Sequence, residues 1–565
     1  MSKTQETSAD VKNGVSRMIF AIISIAVEVI AIILLFLYTG QKATWIYTAI
    51  RILGAILVLI IYDSPKTASI RMTWIIVLLL LPIFGTLFYL LIGLNGHSLK
   101  MRKRFKDIDK ILMPMLPANE EAAEHARKHD GRLGGLVDYL RRQAGFPVYE
   151  NTKIEYYDDA LKGLEAQKKE LAKAQKFIFM EYHAIEDAES WHEVRDILAE
   201  RVKAGVEVRV FYDDMGSLGF INTDFVDRTE KYGIQCRVFN PFAPGLNLFL
   251  NNRDHRKITV IDGKVGFTGG YNLANEYFHK TEPFGFWKDT GVRLEGDAVQ
   301  SLTVTFLEMW NAISANDKDD KDFRKYLMFS NAQYLAEKQH QKINPDRALK
   351  MSKGQEAYFE NLKENIQPQE KYLADTTPAK GEHFGFVLPY ADSPMDDIHV
   401  GEDVYISMAE SAQKYAWFIT PYLIITDEMC HAFSLAAKRG VDVRVITPGI
   451  PDKKIIYSVT RSYYNGLARN GVRIFEFTPG FCHAKMSIVD DLMATCGTIN
   501  LDYRSLYHHF ENGCLYADCS AVMDTRKDFE ETFAQCTEVT EQYTSGRGAF
   551  LKCEQMLLRL AAPLM

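Results

Sequence analysis

The strongest constraint on this chain is a motif written twice. His255-Arg256-Lys257 with Asp262, and His483-Ala484-Lys485 with Asp490, share the spacing H-x-K-x₄-D. An asparagine follows each at the same distance, Asn272 and Asn500 lying 17 residues after their histidines. The surroundings repeat too. Ala412-Gln413-Lys414 echoes Ala174-Gln175-Lys176 at an offset of 238, and the run Lys438–Val445 echoes Lys203–Val210 at an offset of 235. Matches in one order at nearly one offset indicate a tandem duplication of a βαβ-type domain. Two such copies, face to face, can gather both histidine–lysine–asparagine clusters around a single anion.

Local patterning supports an α/β reading of each copy. Lys176–Tyr182 and Val206–Tyr212 read as strands, the second alternating apolar and polar, and Trp191–Ala204 between them has helical periodicity. Between the copies, a stretch dense in Lys, Glu, Asp and Gln has little strand character and reads as a charged insertion or linker. The domain expectation is therefore a membrane anchor over 1–110, a first α/β domain over 111–315, the insertion over 316–382, a second domain over 383–545, and an amphipathic segment over 546–565.

The anchor expectation rests on three apolar runs, about 18–38, 45–62 and 73–94, each long enough to reach across or nearly across a bilayer core as a helix. Glu28 interrupts the first, at a cost of roughly 3 kcal/mol that its many Ile, Leu, Val and Phe residues offset. The six Lys/Arg residues between Lys100 and Lys110 favour a multi-pass cell-membrane protein with its large domains on the cytoplasmic face. A net charge of −7 argues against a general nucleic-acid binder. Eight cysteines form no CxxC pair and no zinc-type Cys/His spacing, so no metal is expected.

In the motif itself, His255 and Lys257 alternate along a strand-like sequence, so imidazole and ammonium project from one face. The run Gly266–Gly270 then allows close backbone approach to a bound anion, and Asn272 adds an amide donor. The second copy matches with His483, Lys485 and Asn500, except that Thr498 offers a hydroxyl where Gly270 offers only backbone. The apolar loop 241–250 before the first motif reads either as a packed strand or as a lipid path lined by Phe242, Leu246, Leu248 and Phe249.

These residues resemble the phospholipase D superfamily, and within it the bacterial cardiolipin synthase family. The likeness covers nearly the whole chain, including Asn252–Ile258, Gly269–Asn272, Phe286–Asp289 and Gly497–Ser505. It implies duplicated phospholipase D-like domains forming a pseudo-twofold sandwich, preceded by N-terminal transmembrane helices. It implies a metal-free and cofactor-free phosphatidyl transfer from one phosphatidylglycerol to another, giving cardiolipin and glycerol through a phosphohistidine. The partners would be membrane phospholipids and the lipid bilayer, with no nucleic acid; oligomeric state stays open. A hydrolase releasing phosphatidic acid is the alternative, since the same intermediate serves both. The catalytic set would be His255, Lys257, Asp262, His483, Lys485 and Asp490, with Asn272, Asn500, Thr498 and Gly270 binding phosphate. Asp289 and Glu511 match the positions that orient the histidines, and His255 matches the nucleophile with His483 as acid/base. Asp262 and Asp490, farther along their strands, fit bracing better than phosphate contact. His509 and Asn275 depart from the family pattern, in which asparagine and aspartate are common at those places.

Overall fold

The structure, a computed structural model, describes residues 44–64, 67–90, 98–241, 252–313, 323–327, 384–544, 558–560 and 562–564, besides Ile23 and Ile30. The first apolar run, the loop residues 242–250, nearly all of the charged insertion and much of the terminal segment therefore lie outside the described residues.

The duplication is visible as two sheets with one wiring. The first half supplies β1 (Thr152–Tyr157), β2 (Phe177–Tyr182), β3 (Glu207–Asp213), β4 (Gln235–Phe239), β5 (Arg253–Asp254), β6 (Lys257–Ile261), β7 (Val265–Gly269), β8 (Phe286–Lys288) and β9 (Gly291–Gly296). The second supplies β10 (Phe386–Asp392), β11 (Tyr415–Ile419), β12 (Asp442–Pro448), β13 (Arg473–Phe477), β14 (Gly480–Cys482), β15 (Met486–Val489), β16 (Met493–Gly497), β17 (His509–Ala517) and β18 (Cys536–Glu538). One sheet runs β1-β9-β7-β6-β2-β3-β4; the other runs β10-β17-β16-β15-β11-β12-β13 and adds β18 at its edge. In both, the βαβ part is parallel and the motif strands are antiparallel. The expected strands and helix thus appear, the helix as Glu189–Lys203.

Central strands are buried along their whole length, as β2 and β11 are, because helices cover them. The alternation in β3 misleads at one place. Arg209 is buried, held by Glu207 at 2.7 Å and by the Tyr326 hydroxyl at 2.9 Å.

Two short strands leave their own sheets and join the halves. β5 pairs in parallel with β17, Arg253 facing His509 and Asp254 facing Phe510. β14 pairs in parallel with β8, setting Phe481 beside Trp287 and Cys482 beside Lys288. Each link sits one step before a motif histidine. The histidines therefore lie between strands, not on them: His255 between β5 and β6, His483 between β14 and β15.

The motif aspartates are not in the site. Asp262 ends β6 in a left-handed conformation (φ 56°) and accepts from the backbone N–H groups of Gln175, Lys176 and Phe177 at 2.7–2.9 Å. Asp490 does the same (φ 56°) for Gln413, Lys414 and Tyr415 at 2.8–2.9 Å, and Arg132 pairs with it. This explains the Ala-Gln-Lys echo: in both halves that tripeptide enters the central strand and hands its N–H groups to the last motif residue. An aspartate suits the place because it tolerates left-handed backbone and offers two acceptor oxygens. Both residues were placed in the catalytic set with bracing favoured over phosphate contact, and these bonds are bracing ones, made to a strand entrance away from the cavity.

At the N-terminal end the apolar runs form helices Thr44–Tyr62, Ala68–Leu80 and Pro82–Phe88, of 19, 13 and 7 residues. Pro82 stands at the first position of the last helix and cuts the third run in two. Among the described residues no helix is long and apolar enough to cross a membrane. The three-span expectation is therefore not confirmed, and its first run lies outside the described residues. These helices nevertheless present many exposed apolar side chains, among them Trp45, Leu59, Met72, Leu79 and Leu80.

Replacing Asp262 by alanine removes an ionised acceptor from three N–H groups, each such bond being worth about 1.5–3 kcal/mol before rehydration of the exposed donors. A net loss of about 2–4 kcal/mol in denaturant unfolding is expected. Asp262→Asn protein that does fold should retain activity to within a few-fold, unlike any change at the histidines.

Candidate active site

A cavity of about 970 Å³ lies where the halves meet, and His255, His483, Asn272 and Asn500 all reach its wall. Both histidine rings are largely buried, each with side-chain exposure of 9%. Their orientation is set from the opposite half. His255 Nδ1–H donates to Glu511, 2.9 and 3.0 Å from its two oxygens, and the His255 backbone N–H donates to Phe510 O at 2.9 Å. His483 Nδ1–H donates to Asp289 Oδ2 at 2.7 Å, and its backbone N–H donates to Lys288 O at 2.8 Å. The β5–β17 and β14–β8 links explain the symmetry. Each runs a histidine-bearing segment alongside the strand whose next residue is the partner carboxylate. In both halves Nδ1 is occupied, which leaves Nε2 as the reactive nitrogen.

The lysines stand behind the histidines. Lys257 Nζ donates to His255 O at 2.7 Å, and Lys485 Nζ donates to His483 O. Lys485 Nζ also lies 2.7 Å from His483 Nδ1. That nitrogen cannot both donate to Asp289 and accept from an ammonium, so the carboxylate pair takes the proton and Lys485 serves the carbonyl. Asn272 accepts from Ala184 N–H at 3.1 Å and donates to the Tyr277 hydroxyl at 2.9 Å, which fixes its amide plane. The Asn500 Oδ1 atom is buried and has no hydrogen-bond partner.

A family model described as cardiolipin synthase, PLD-like domain, matches residues 168–310 and 405–533, and one for the phospholipase D-nuclease N-terminal region matches 43–93. Cardiolipin synthase 2 of Bacillus cereus is 30% identical over 510 residues, covering 90% of this chain and 89% of its own length. This chain belongs to the cardiolipin synthase family. Other family members align as fully: cardiolipin synthase 1 of Staphylococcus aureus is 28% identical, covering 91% of this chain and 96% of its own. An uncharacterized protein of Streptococcus mutans is 39% identical over 91% of this chain and 100% of its own.

Two expected phosphate ligands do other work in this family member. Thr498 donates its hydroxyl to Glu511 Oε2 and accepts from Asn512 N–H at 2.9 Å. It holds the carboxylate that holds His255. Gly270, its counterpart, has its N–H on Thr290 O at 3.0 Å, and a Cβ there would lie 2.0 Å from Asp289 Oδ1. One half thus secures its acid by a hydroxyl and the other by an absent methyl. Neither residue reaches the cavity wall. Asn275 is also structural, accepting from Ser190 N–H and Oγ at the start of the helix Glu189–Lys203.

Of the further wall residues, His183 escaped the sequence reading, whereas His509 stood out there as a departure from the family pattern. His183 packs 4.8 Å from the His255 ring and donates Nδ1–H to Asp254 O at 2.7 Å. His509 lies 5.5 Å from His255 and accepts from Arg504 Nε at 3.1 Å. Arg253 is saturated by Asp213, with contacts of 2.6–3.0 Å. His183 has no counterpart at the repeat offset, where Pro421 stands, so duplication could not reveal it.

Burial dominates the electrostatics. It drives both motif histidines well below their ordinary range, with the neighbouring lysines adding to the fall. It lowers Lys257 to about 7 and Lys485 to about 8, against the pull of the nearby carboxylates. It raises Asp289 to about 7 and Glu511 well above the carboxylate range. An anion bound beside the two lysines would favour their ammonium forms.

The sign for binding follows. Lysine pKa values are lower in the free than in the anion-bound enzyme, so affinity is full below them and falls as pH rises through about 7–8. A pH profile should show kcat/KM declining across that window while kcat, which reports the loaded enzyme, holds to higher pH. Glu511→Gln and Asp289→Asn keep the shape of each acid and replace the carboxyl that accepts from each imidazole Nδ1–H with an amide. Either should lower kcat by about 10²–10⁴, in steady-state assays, with a smaller change in KM. Gly270→Ala should approach the Asp289→Asn defect, because its methyl displaces that carboxylate.

Proposed function

We propose that this chain transfers a phosphatidyl group from one phosphatidylglycerol to another, producing cardiolipin and glycerol. The observation that carries the reading is the pair of crossed histidine–carboxylate contacts facing one cavity, in a chain of this family. His255 Nε2 attacks phosphorus; the P–N bond forms as the P–O bond to glycerol breaks. His483 Nε2 gives its proton to the departing glycerol oxygen. The glycerol hydroxyl of a second phosphatidylglycerol then returns a proton to His483, its oxygen bonds to phosphorus, and the P–N bond breaks. A bound anion favours the protonated form of His483, which supplies the acid, while His255 attacks as the neutral imidazole. Lys257 and Lys485 neutralise the charge growing on the non-bridging oxygens, with Asn272 and Asn500 as amide partners. The division of roles between the two histidines follows the family likeness.

The exposed apolar helices of residues 44–88 support attachment to a bilayer, where the substrate resides. The Lys100–Lys110 cluster, which begins the helix Ser98–Leu112, supports a cytoplasmic position for both domains. The apolar wall residues Phe284, Phe481 and Ile456 suit a lipid whose headgroup reaches the histidines.

Purified full-length chain given phosphatidylglycerol in mixed micelles should yield cardiolipin and glycerol in equal amounts. His255→Ala and His483→Ala should each abolish both products. Phosphatidic acid as the main product would overturn transfer in favour of hydrolysis.

A further inference from the structure

The offset of 235 carries β3 onto β12 and gives way to 238 at β4 and β13. It places Phe220, in the loop after β3, upon Ile455, in the segment after β12. Both are large apolar side chains left in the open, 39% and 63% exposed. Phe220 reaches the wall of the active-site cavity, and on the other half Ile456, the neighbour of Ile455, reaches it too. Each half thus sets an exposed hydrophobic residue on or beside that wall. Ile450, 39% exposed, adds to the second side. Between these isoleucines stand Asp452, Lys453, which is 65% exposed and 3.6 Å from Asp452, and the exposed Lys454.

We propose that these two lips, Phe220 on one half and Ile450–Ile456 on the other, form a second bilayer contact. They seat the cavity mouth on a membrane surface carrying anionic phosphodiester headgroups. Apolar tips flanked by lysines suit that boundary: the side chains enter the acyl layer while the ammonium groups remain among headgroup phosphates. Contacts also lead from this side to the apolar N-terminal helices. Arg559 stacks at 4.4 Å on Tyr463, in the helix Lys454–Ala468 that carries Ile455. Leu560 O accepts from Thr73 Oγ1 at 3.0 Å, and Ala562 reaches the cavity wall. One terminal segment therefore ties the lip, the cavity and the apolar helices together. The lipid could then pass from bilayer to histidines without its chains crossing water. This inference rests on the lipid-transfer reading, and its test is separable from it.

The test uses full-length chain with Ile455→Cys or Phe220→Cys, each carrying an environment-sensitive fluorophore, corrected for labelling of the unsubstituted chain. On transfer from detergent to phosphatidylglycerol vesicles, emission should shift to the blue. It should be quenched by spin-labelled lipid and protected from aqueous iodide. Emission and iodide quenching typical of water at both positions would overturn the proposal, whatever the activity. In a second arm, Ile455→Asp should lower turnover of long-chain lipid in vesicles by about tenfold, from lost burial of one large side chain. Turnover of soluble short-chain phosphatidylglycerol should be unchanged. Equal loss on both substrates would overturn the lip in favour of a role in the site. If the chain makes no cardiolipin, the functional reading fails while the fluorescence still decides the surface.

Discussion

Everything in this active site depends on an exchange of backbone between the halves. Two residues of β5 lie against β17, and three of β14 lie against β8. These ladders are short, yet they convert two similar domains into one reaction centre. A histidine amide bonds to a carbonyl of the other half, and the next residue of that other strand is the carboxylate behind the imidazole. Ring orientation, tautomer and the exposure of Nε2 then follow from main-chain register, which is far stiffer than any side-chain rotamer. Neither half alone contains an oriented histidine.

The same packing produces the electrostatic character of the centre. Four ionisable motif side chains and two acids are removed from water together, and the desolvation of each is only partly offset by its neighbours. Imidazoles stay neutral and ready to attack, while lysines remain close to losing their charge. A phosphodiester supplies the missing counter-charge. The fold resolves the like-charge problem of a doubled motif by leaving a place for the substrate's anion.

The sequence made the wiring of the sheets legible because duplication is a comparison of the chain with itself. Two copies reveal which residues share a job, and so His255 with His483, Lys257 with Lys485, and Asn272 with Asn500 stood out. Self-comparison is silent about what the job is. Asp262 and Asp490 repeat as faithfully as the histidines, yet they tie a strand entrance and touch nothing in the cavity. It fails also where the copies diverge. Thr498 and Gly270 secure their acids by different chemistry, and His183 has no twin.

By itself, then, the sequence determined that there are two α/β copies, which residues recur, and which family they resemble. These are properties of local pattern and spacing, written along the chain. Only the tertiary structure decided that the orienting acids are traded, Glu511 behind His255 and Asp289 behind His483. It also decided that the motif aspartates face away from the cavity and that Phe220 and Ile456, one from each half, reach the wall of the same cavity. The physical reason is sequence separation: the traded acids lie 256 and 194 residues from their histidines, across the docking of one half on the other, and even the aspartate contacts within each half span about 75–87 residues. No periodicity within either half records that docking.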